Sequence, residues 1–217
     1  MNPMLEGPAK PIAFNCPSCG APHEIYNPGV VMKVCEYCRN AIYWDEEKIK
    51  LAGAQSILDE GFTRLYRGAA GTLFQRRFMV LGRIRYSFGR GFWDEWFLEF
   101  QNGKTEWLSE DNHELAIEKQ IERALNTPFT AFAPGKSFKL EGKTFVVEEA
   151  GEAECIGVEG DLPVVIQTGE KYPYVDASSP DGRYTLSIEY DEDPPTIFQG
   201  HWLKYVSVIL DEEAMEW

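Results

Sequence analysis

Histidine is scarce in this chain, with three in 217 residues, and His23, His113 and His201 stand far apart. Scattered in this way they form no ligand cluster. No Ser-His-Asp order, phosphate loop or dinucleotide fingerprint appears either. Long apolar runs are also missing: none approaches the roughly 18 residues that a spanning helix needs. The first residues lack the basic patch and apolar core of a signal peptide, so a cytoplasmic location without membrane insertion is expected. Five cysteines are too few and too clustered for a disulfide framework. Basic side chains are in deficit, 21 against 35 acidic ones, and the net charge of −14 should repel nucleic acid and anionic lipid. The arginines gathered between Arg64 and Arg90 are the exception, whereas residues 94–217 hold most of the acid.

The cysteines that are present carry the clearest motif. Cys16, Cys19, Cys35 and Cys38 form C-x2-C-x15-C-x2-C, the spacing of a four-cysteine zinc site. Four thiolates suit tetrahedral Zn2+ and leave no position open for water or substrate, so the ion is expected to be structural. Gly20 offers the backbone freedom that the first turn requires. Residues 24–26, 30–34 and 41–44 are short enough to be the strands of a zinc ribbon. Cys155 alternates with charged neighbours and reads as a small buried hydrophobe.

Beyond the ribbon, residues 45–60 have a partly helical pattern weakened by Gly53 and read as a linker. From Gly71 the period becomes two. Phe78, Val80, Ile84 and Tyr86 share a face, with a bulge expected at Gly82. Asn102-Gly103 between alternating runs predicts a hairpin with a two-residue loop. That loop pairs Leu98 with Trp107, sets Glu99 opposite Glu106, and puts Trp96, Leu98, Phe100 and Trp107 on one face. Arg83 and Arg85 on the neighbouring polar face would neutralise the two glutamates. The other reading of this segment is an anion-binding patch of Arg76, Arg77, Arg83 and Arg85. Residues 110–126 read as a short helix stopped by Pro128. A second β region opens with a hairpin around Glu141-Gly142 and continues through Tyr184, Leu186, Ile188 and Tyr190, with a last strand at 203–210. Phe78-x-Val80 and Phe145-x-Val147 hint at a duplicated module.

Several stretches resemble an uncharacterised bacterial family, classed as a domain of unknown function, that joins a zinc ribbon to β modules. They are Cys16-Pro-Ser-Cys19-Gly, Cys35-Glu-Tyr-Cys38-Arg, Phe78 to Tyr86, Gly91-Phe-Trp-Asp-Glu-Trp96, Phe100 to Glu110 and Glu159-Gly-Asp-Leu-Pro163. The resemblance covers nearly the whole chain. It implies a cytoplasmic accessory protein and assigns no activity.

The expected architecture is therefore mainly β. A tail (1–12) precedes the zinc ribbon (13–45) and a linker (46–70). A first antiparallel module with a C-terminal helix (71–127) and a second module (128–210) follow, each an SH3-like barrel or meander, before a final tail (211–217). The expected function is a protein-binding or assembly module with a structural zinc ion, and Phe92, Trp93, Arg83 and Arg85 are candidate interface residues. The alternative is a hydrolase or metal-dependent enzyme using the loop carboxylates Asp94, Glu95, Glu159, Asp161 and Asp176. His201 is read as a packed core histidine.

Overall fold

The computed structural model describes residues 11–45, 48–54, 58–59, 61 and 63–211. The expected tails fall largely outside that set, as does part of the 46–70 linker. The first five strands are β1 (Ile12–Asn15), β2 (Pro22–Ile25), β3 (Met32–Val34), β4 (Asn40–Asp45) and β5 (Lys48–Ala54). Then come β6 (Ala70–Leu73), β7 (Arg76–Ser87), β8 (Phe92–Phe100), β9 (Thr105–Asp111) and β10 (Glu114–Gln120). The second half holds β11 (Ser137–Leu140), β12 (Lys143–Leu162), β13 (Lys171–Ser178), β14 (Thr185–Glu189), β15 (Thr196–Leu203) and β16 (Val208–Leu210).

The two β regions are not separate modules. β7–β8–β9–β10 and β12–β13–β14–β15 are antiparallel meanders, and β10 pairs with β15 while β7 pairs with β12. First strand meets first strand and last meets last, so the eight strands close into one barrel without free edges. Both seams need glycine. A side chain on Gly82 would lie 2.5 Å from the Asp161 carbonyl, and one on Gly200 would lie 1.9 Å from that of Ile117. The expected bulge at Gly82 is present as a register shift between β7 and β8.

No α-helix longer than a turn occurs among the described residues, and the helix expected over 110–126 is instead the β9–β10 hairpin. Asn112 and His113 both take left-handed backbone angles, φ 47° and 70°, which a two-residue hairpin turn demands. Leu115 and Ile117 then alternate with Ala116 and Glu118, a period of two that the helical reading overlooked. Part of the 45–60 segment is likewise strand, β5 pairing with β4. The Asn102-Gly103 hairpin exists with a different register. Gly103 N–H donates to the Phe100 carbonyl at 2.8 Å, and Gly103 sits at φ 75°. This longer turn pairs Leu98 with Glu106 and Phe97 with Trp107. A slip of one residue exchanges faces. Trp107 therefore leaves the Trp96–Leu98–Phe100 face and packs on Phe97, ring centroids 5.0 Å apart.

The apolar faces of the meanders point away from the barrel axis. Trp96, Leu98, Phe100, Leu108, Leu115 and Ile117 pack under residues 65–73 and 208–210, which wrap one side. Phe145, Val147, Val175, Leu186, Ile188 and Ile197 pack under Ile121, Leu125, Phe129 and Phe132 from the connection between the meanders. The strands around the cysteine turns divide: β1 and β2 form a separate hairpin, while β3, β4 and β5 extend the barrel sheet. β3 pairs with β12, and Ile25, Val30, Met32 and Val34 share a core with Ile84, Tyr86, Phe97 and Leu162. Residues 13–45 therefore share a core with the barrel instead of packing only on themselves.

Candidate functional site

The four cysteine sulfurs lie within 4.8 Å of one another. Two tight turns present them identically. Gly20 N–H donates to Cys16 O at 2.8 Å and Arg39 N–H to Cys35 O at 2.9 Å, with Gly20 and Arg39 both left-handed at φ 79° and 62°. Cys16–Cys38 and Cys19–Cys35 sulfurs are 3.7 Å apart. A tetrahedron with metal–sulfur bonds of about 2.3 Å has edges of about 3.8 Å, so the donor set fits such an ion. His23 Nε2 lies 3.3 Å from Cys35 Sγ and Asn40 Nδ2 donates to Cys38 Sγ at 3.4 Å. The Asn40 contact is the main reason the Cys38 thiol is held down at about 6.

The second feature is the barrel interior, a cavity of about 710 Å³. Along each strand the residues that alternate with the apolar outer faces line it. Acids reach it from every strand except β7 and β15: Glu95 on β8, Asp111 on β9, Glu118 on β10, Glu149 on β12, Asp176 on β13 and Glu189 on β14. Lys171 is the only basic residue among those lining it, and that exposed side chain is engaged by Glu152 and Glu154 at 3.4 and 3.2 Å. Tyr86, Trp93 and Tyr174 form an aromatic wall, with Trp93 5.3 Å from Tyr86 and 5.2 Å from Tyr174.

Burial dominates the acid chemistry of this lumen. It holds the Glu189 carboxyl up at about 8 and Asp176 at about 7, with repulsion from neighbouring acids adding to both. Glu95 stands well above the usual range for the same reason, with Glu118 and Glu189 contributing. Burial also raises Glu118, opposed by hydrogen bonds from Thr185 Oγ1 at 2.5 Å and Ser187 Oγ at 3.4 Å. Trp93 Nε1 donates to Glu95 at 2.9 Å. Among the described residues, only the cysteines bring three or more candidate metal ligands within 4.8 Å of each other. The lumen acids are close enough to repel one another.

The five carboxylates singled out from the sequence separate into two groups. Glu95 and Asp176 line the lumen. Asp94 is buried against Arg85 in a two-pronged pair (2.7 and 2.7 Å), and Glu159 and Asp161 pair with Arg83 and Lys33 at 2.9 and 2.6 Å. Of the interface candidates, Arg83 and Arg85 are buried, their heads stacked on Trp96 and Phe92 at 4.7 and 4.2 Å. Phe92 is exposed, while Trp93 faces the lumen. Glu106 is neutralised by Arg76 at 2.9 Å rather than by Arg83 or Arg85. Arg77 pairs with Asp211, so the four arginines of the anion-patch reading all face carboxylates. His201 is exposed against Tyr184 rather than buried, and Cys155 is buried as expected.

Sequence reasoning missed Glu118 and Glu189. The signal was present in Thr185-Leu-Ser187-Ile-Glu189, whose polar positions alternate as cleanly as its apolar ones. Its apolar positions Leu186 and Ile188 mark the covered outer face. A family profile described as a domain of unknown function, DUF4178, matches residues 67–205, which contain all eight barrel strands. No curated protein and no solved structure matches the chain.

Proposed function

The chain belongs to the DUF4178 family, whose description assigns no activity, and we propose that its barrel is a binding module that holds a small organic molecule in the lumen. One observation carries this reading: the barrel turns its apolar faces outward under its own connecting segments and keeps acids, hydroxyls and aromatics around an interior cavity of about 710 Å³. Burying carboxylates is costly, and an apolar filling would have stabilised the barrel better. Cavities of this size suit small ligands, and convergent polar groups on an aromatic wall fix their orientation. A binding role accounts for the lumen better than catalysis, because the acids are spread around six strands instead of meeting at one reacting position.

In the same proposal the cysteine centre holds a structural zinc ion. The 3.7 Å sulfur separations support it, and four thiolates leave no coordination position for chemistry. Zinc would fix two turns whose neighbouring strands share their core with the barrel. A zinc ribbon serving as a rigid attachment is the form of the motif this favours. Protein docking is a second reading, favoured by Tyr37 between the second cysteine pair, 72% exposed, and Tyr26, 64% exposed. Replacing both by Ala should abolish partner capture from a lysate; unchanged capture would remove it.

The lumen reading is tested by native mass spectrometry of protein purified from its own cells. The wild type should retain a small molecule that leaves on denaturation. Ser109→Phe, which fills the cavity from β9, should carry none while keeping the wild-type circular dichroism. Equal retention by both proteins refutes the lumen as the site.

A further inference from the structure

We propose that the lumen ligand is an uncharged molecule carrying several hydroxyl groups on a compact carbon frame, the chemistry of a sugar or a cyclic polyol. This rests on the lumen being a binding site and adds the chemical class of its occupant. The first argument is how the acids are partnered. Elsewhere in the chain carboxylates meet cations: Asp94 has Arg85, Glu159 has Arg83, Asp161 has Lys33 and Glu106 has Arg76. Inside the barrel the partners are neutral. Trp93 Nε1 donates to Glu95 at 2.9 Å, and Thr185 Oγ1 and Ser187 Oγ donate to Glu118 at 2.5 and 3.4 Å. Tyr172 Oη donates to Glu189 at 3.4 Å. No arginine or histidine is among the described lining residues, and Lys171 is engaged by Glu152 and Glu154.

Carboxyls buried side by side without counter-charges relieve their repulsion by keeping protons. Glu189, held at about 8, and Asp176, held at about 7, agree with that arrangement. A charged guest of either sign is poorly served by such a wall. An anion finds no free cation among the described lining residues. A cation must first draw protons off the carboxyls before it has a counter-charge. An uncharged guest enters without altering the protonation of the lining.

The second argument is the hydrogen-bonding character of the wall. A protonated carboxyl donates one hydrogen bond and accepts others, and so does the hydroxyl of a serine or threonine. Glu95, Asp176, Glu189, Ser109 and Thr196 therefore line the cavity with groups that both give and take. Hydroxyl groups answer such a wall best, because each is donor and acceptor on one atom. A ketone or ether would leave the accepting half of each lining group unmatched, and an ammonium group the donating half. The carbon frame has a wall of its own. Tyr86, Trp93 and Tyr174 line the cavity, with Trp93 5.3 Å from Tyr86 and 5.2 Å from Tyr174, and they offer apolar ring surface to C–H groups.

The test uses the molecule that native mass spectrometry finds in the full chain purified from its own cells. Released by denaturation, it should pass both a cation and an anion exchanger at neutral pH. It should also take up three or more acetyl groups from acetic anhydride. Glu189→Gln and Asp176→Asn exchange a protonated carboxyl for a carboxamide, which also donates and accepts, so both variants should keep most of the wild-type occupancy. Glu189→Met has similar length and no hydrogen-bonding group, and should lower retention about tenfold. Near-ultraviolet circular dichroism checks that the variants fold; should one fail, the charge and acetyl count of the released molecule still decide. Retention on either exchanger, fewer than three acetyl groups, emptying of both carboxamide variants, or full occupancy in Glu189→Met overturns the proposal. If that happens while Ser109→Phe is empty, the uncharged class is wrong and the lumen reading stands. If Ser109→Phe carries as much as the wild type, or the wild type carries nothing, both fall.

Discussion

Gly160 faces Gly82 across the seam where β12 closes the barrel onto β7. A side chain on Gly160 would lie 2.3 Å from the Leu81 carbonyl, and its φ of 77° is left-handed. Gly160→Ala therefore faces a backbone overlap and a strained conformation together, and should destabilise the protein by about 3 kcal/mol or more. Urea unfolding measures it. A loss below about 1 kcal/mol would mean the seam can open without cost.

Asp94 was a candidate catalytic acid from the sequence, and the structure gives it a structural partner. Arg85 holds both its oxygens with both groups buried. Asp94→Asn leaves Arg85 only the exposed Asp59 as a counter-charge and also removes a carboxylate from beside Arg83, for a cost of about 3 kcal/mol. Arg77→Ala breaks an exposed pair with Asp211 and should cost at most about 1 kcal/mol. Thermal denaturation of the two variants compares them directly; similar losses would contradict the burial argument.

Metal removal should reach beyond the cysteine turns. Elemental analysis is expected to find about one zinc per chain, the stoichiometry of a four-thiolate site. Because Met32, Val34 and Leu162 share one core, chelation or Cys16→Ser should lower the melting temperature of the whole chain in a single transition. Two separate transitions, one of them unchanged, would show that the barrel is indifferent to the metal.

The lumen acids set a pH dependence in the ligand-free protein. Glu189, held at about 8, faces Asp176, Asp191, Glu118 and the Tyr172 hydroxyl, and Asp176 is held at about 7. Unfolded carboxyls titrate near 4. Between those values the folded chain keeps protons that the unfolded chain has released. The stabilisation is complete below about pH 4 and is lost as pH rises through 7 to 8. Melting temperature should fall from pH 6 to pH 9, and Glu189→Gln should flatten that decline. A slope identical to wild type would refute the assignment.

Nucleic acid should not bind at physiological salt. Arg67, Arg76, Arg77, Arg83, Arg85 and Arg90 each pair with a carboxylate, so the arginine-rich segment presents little unopposed charge. A salt-sensitive shift in a gel assay would contradict this.

Sequence alone determined the elements whose information is local. The two C-x2-C pairs specify their own turns, and cysteine spacing placed four sulfurs around one point. Alternation located the strands around Phe78–Tyr86 and Leu186–Ile188, and Glu141-Gly142 marked a hairpin, because left-handed turn positions and pleat period are properties of a few neighbouring residues. Tertiary structure decided everything that depends on which face meets which. Alternation reveals two faces without saying which one looks inward, so Ser187 and Glu189 read as solvent-facing until covering segments claimed Leu186 and Ile188. The Phe100–Gly103 turn settled the register that moved Trp107 to the other face. Closure through β7–β12 and β10–β15 joins residues more than 60 positions apart. Such pairing is governed by long-range burial, and it alone gathered Glu95, Glu118, Asp176 and Glu189 into one cavity.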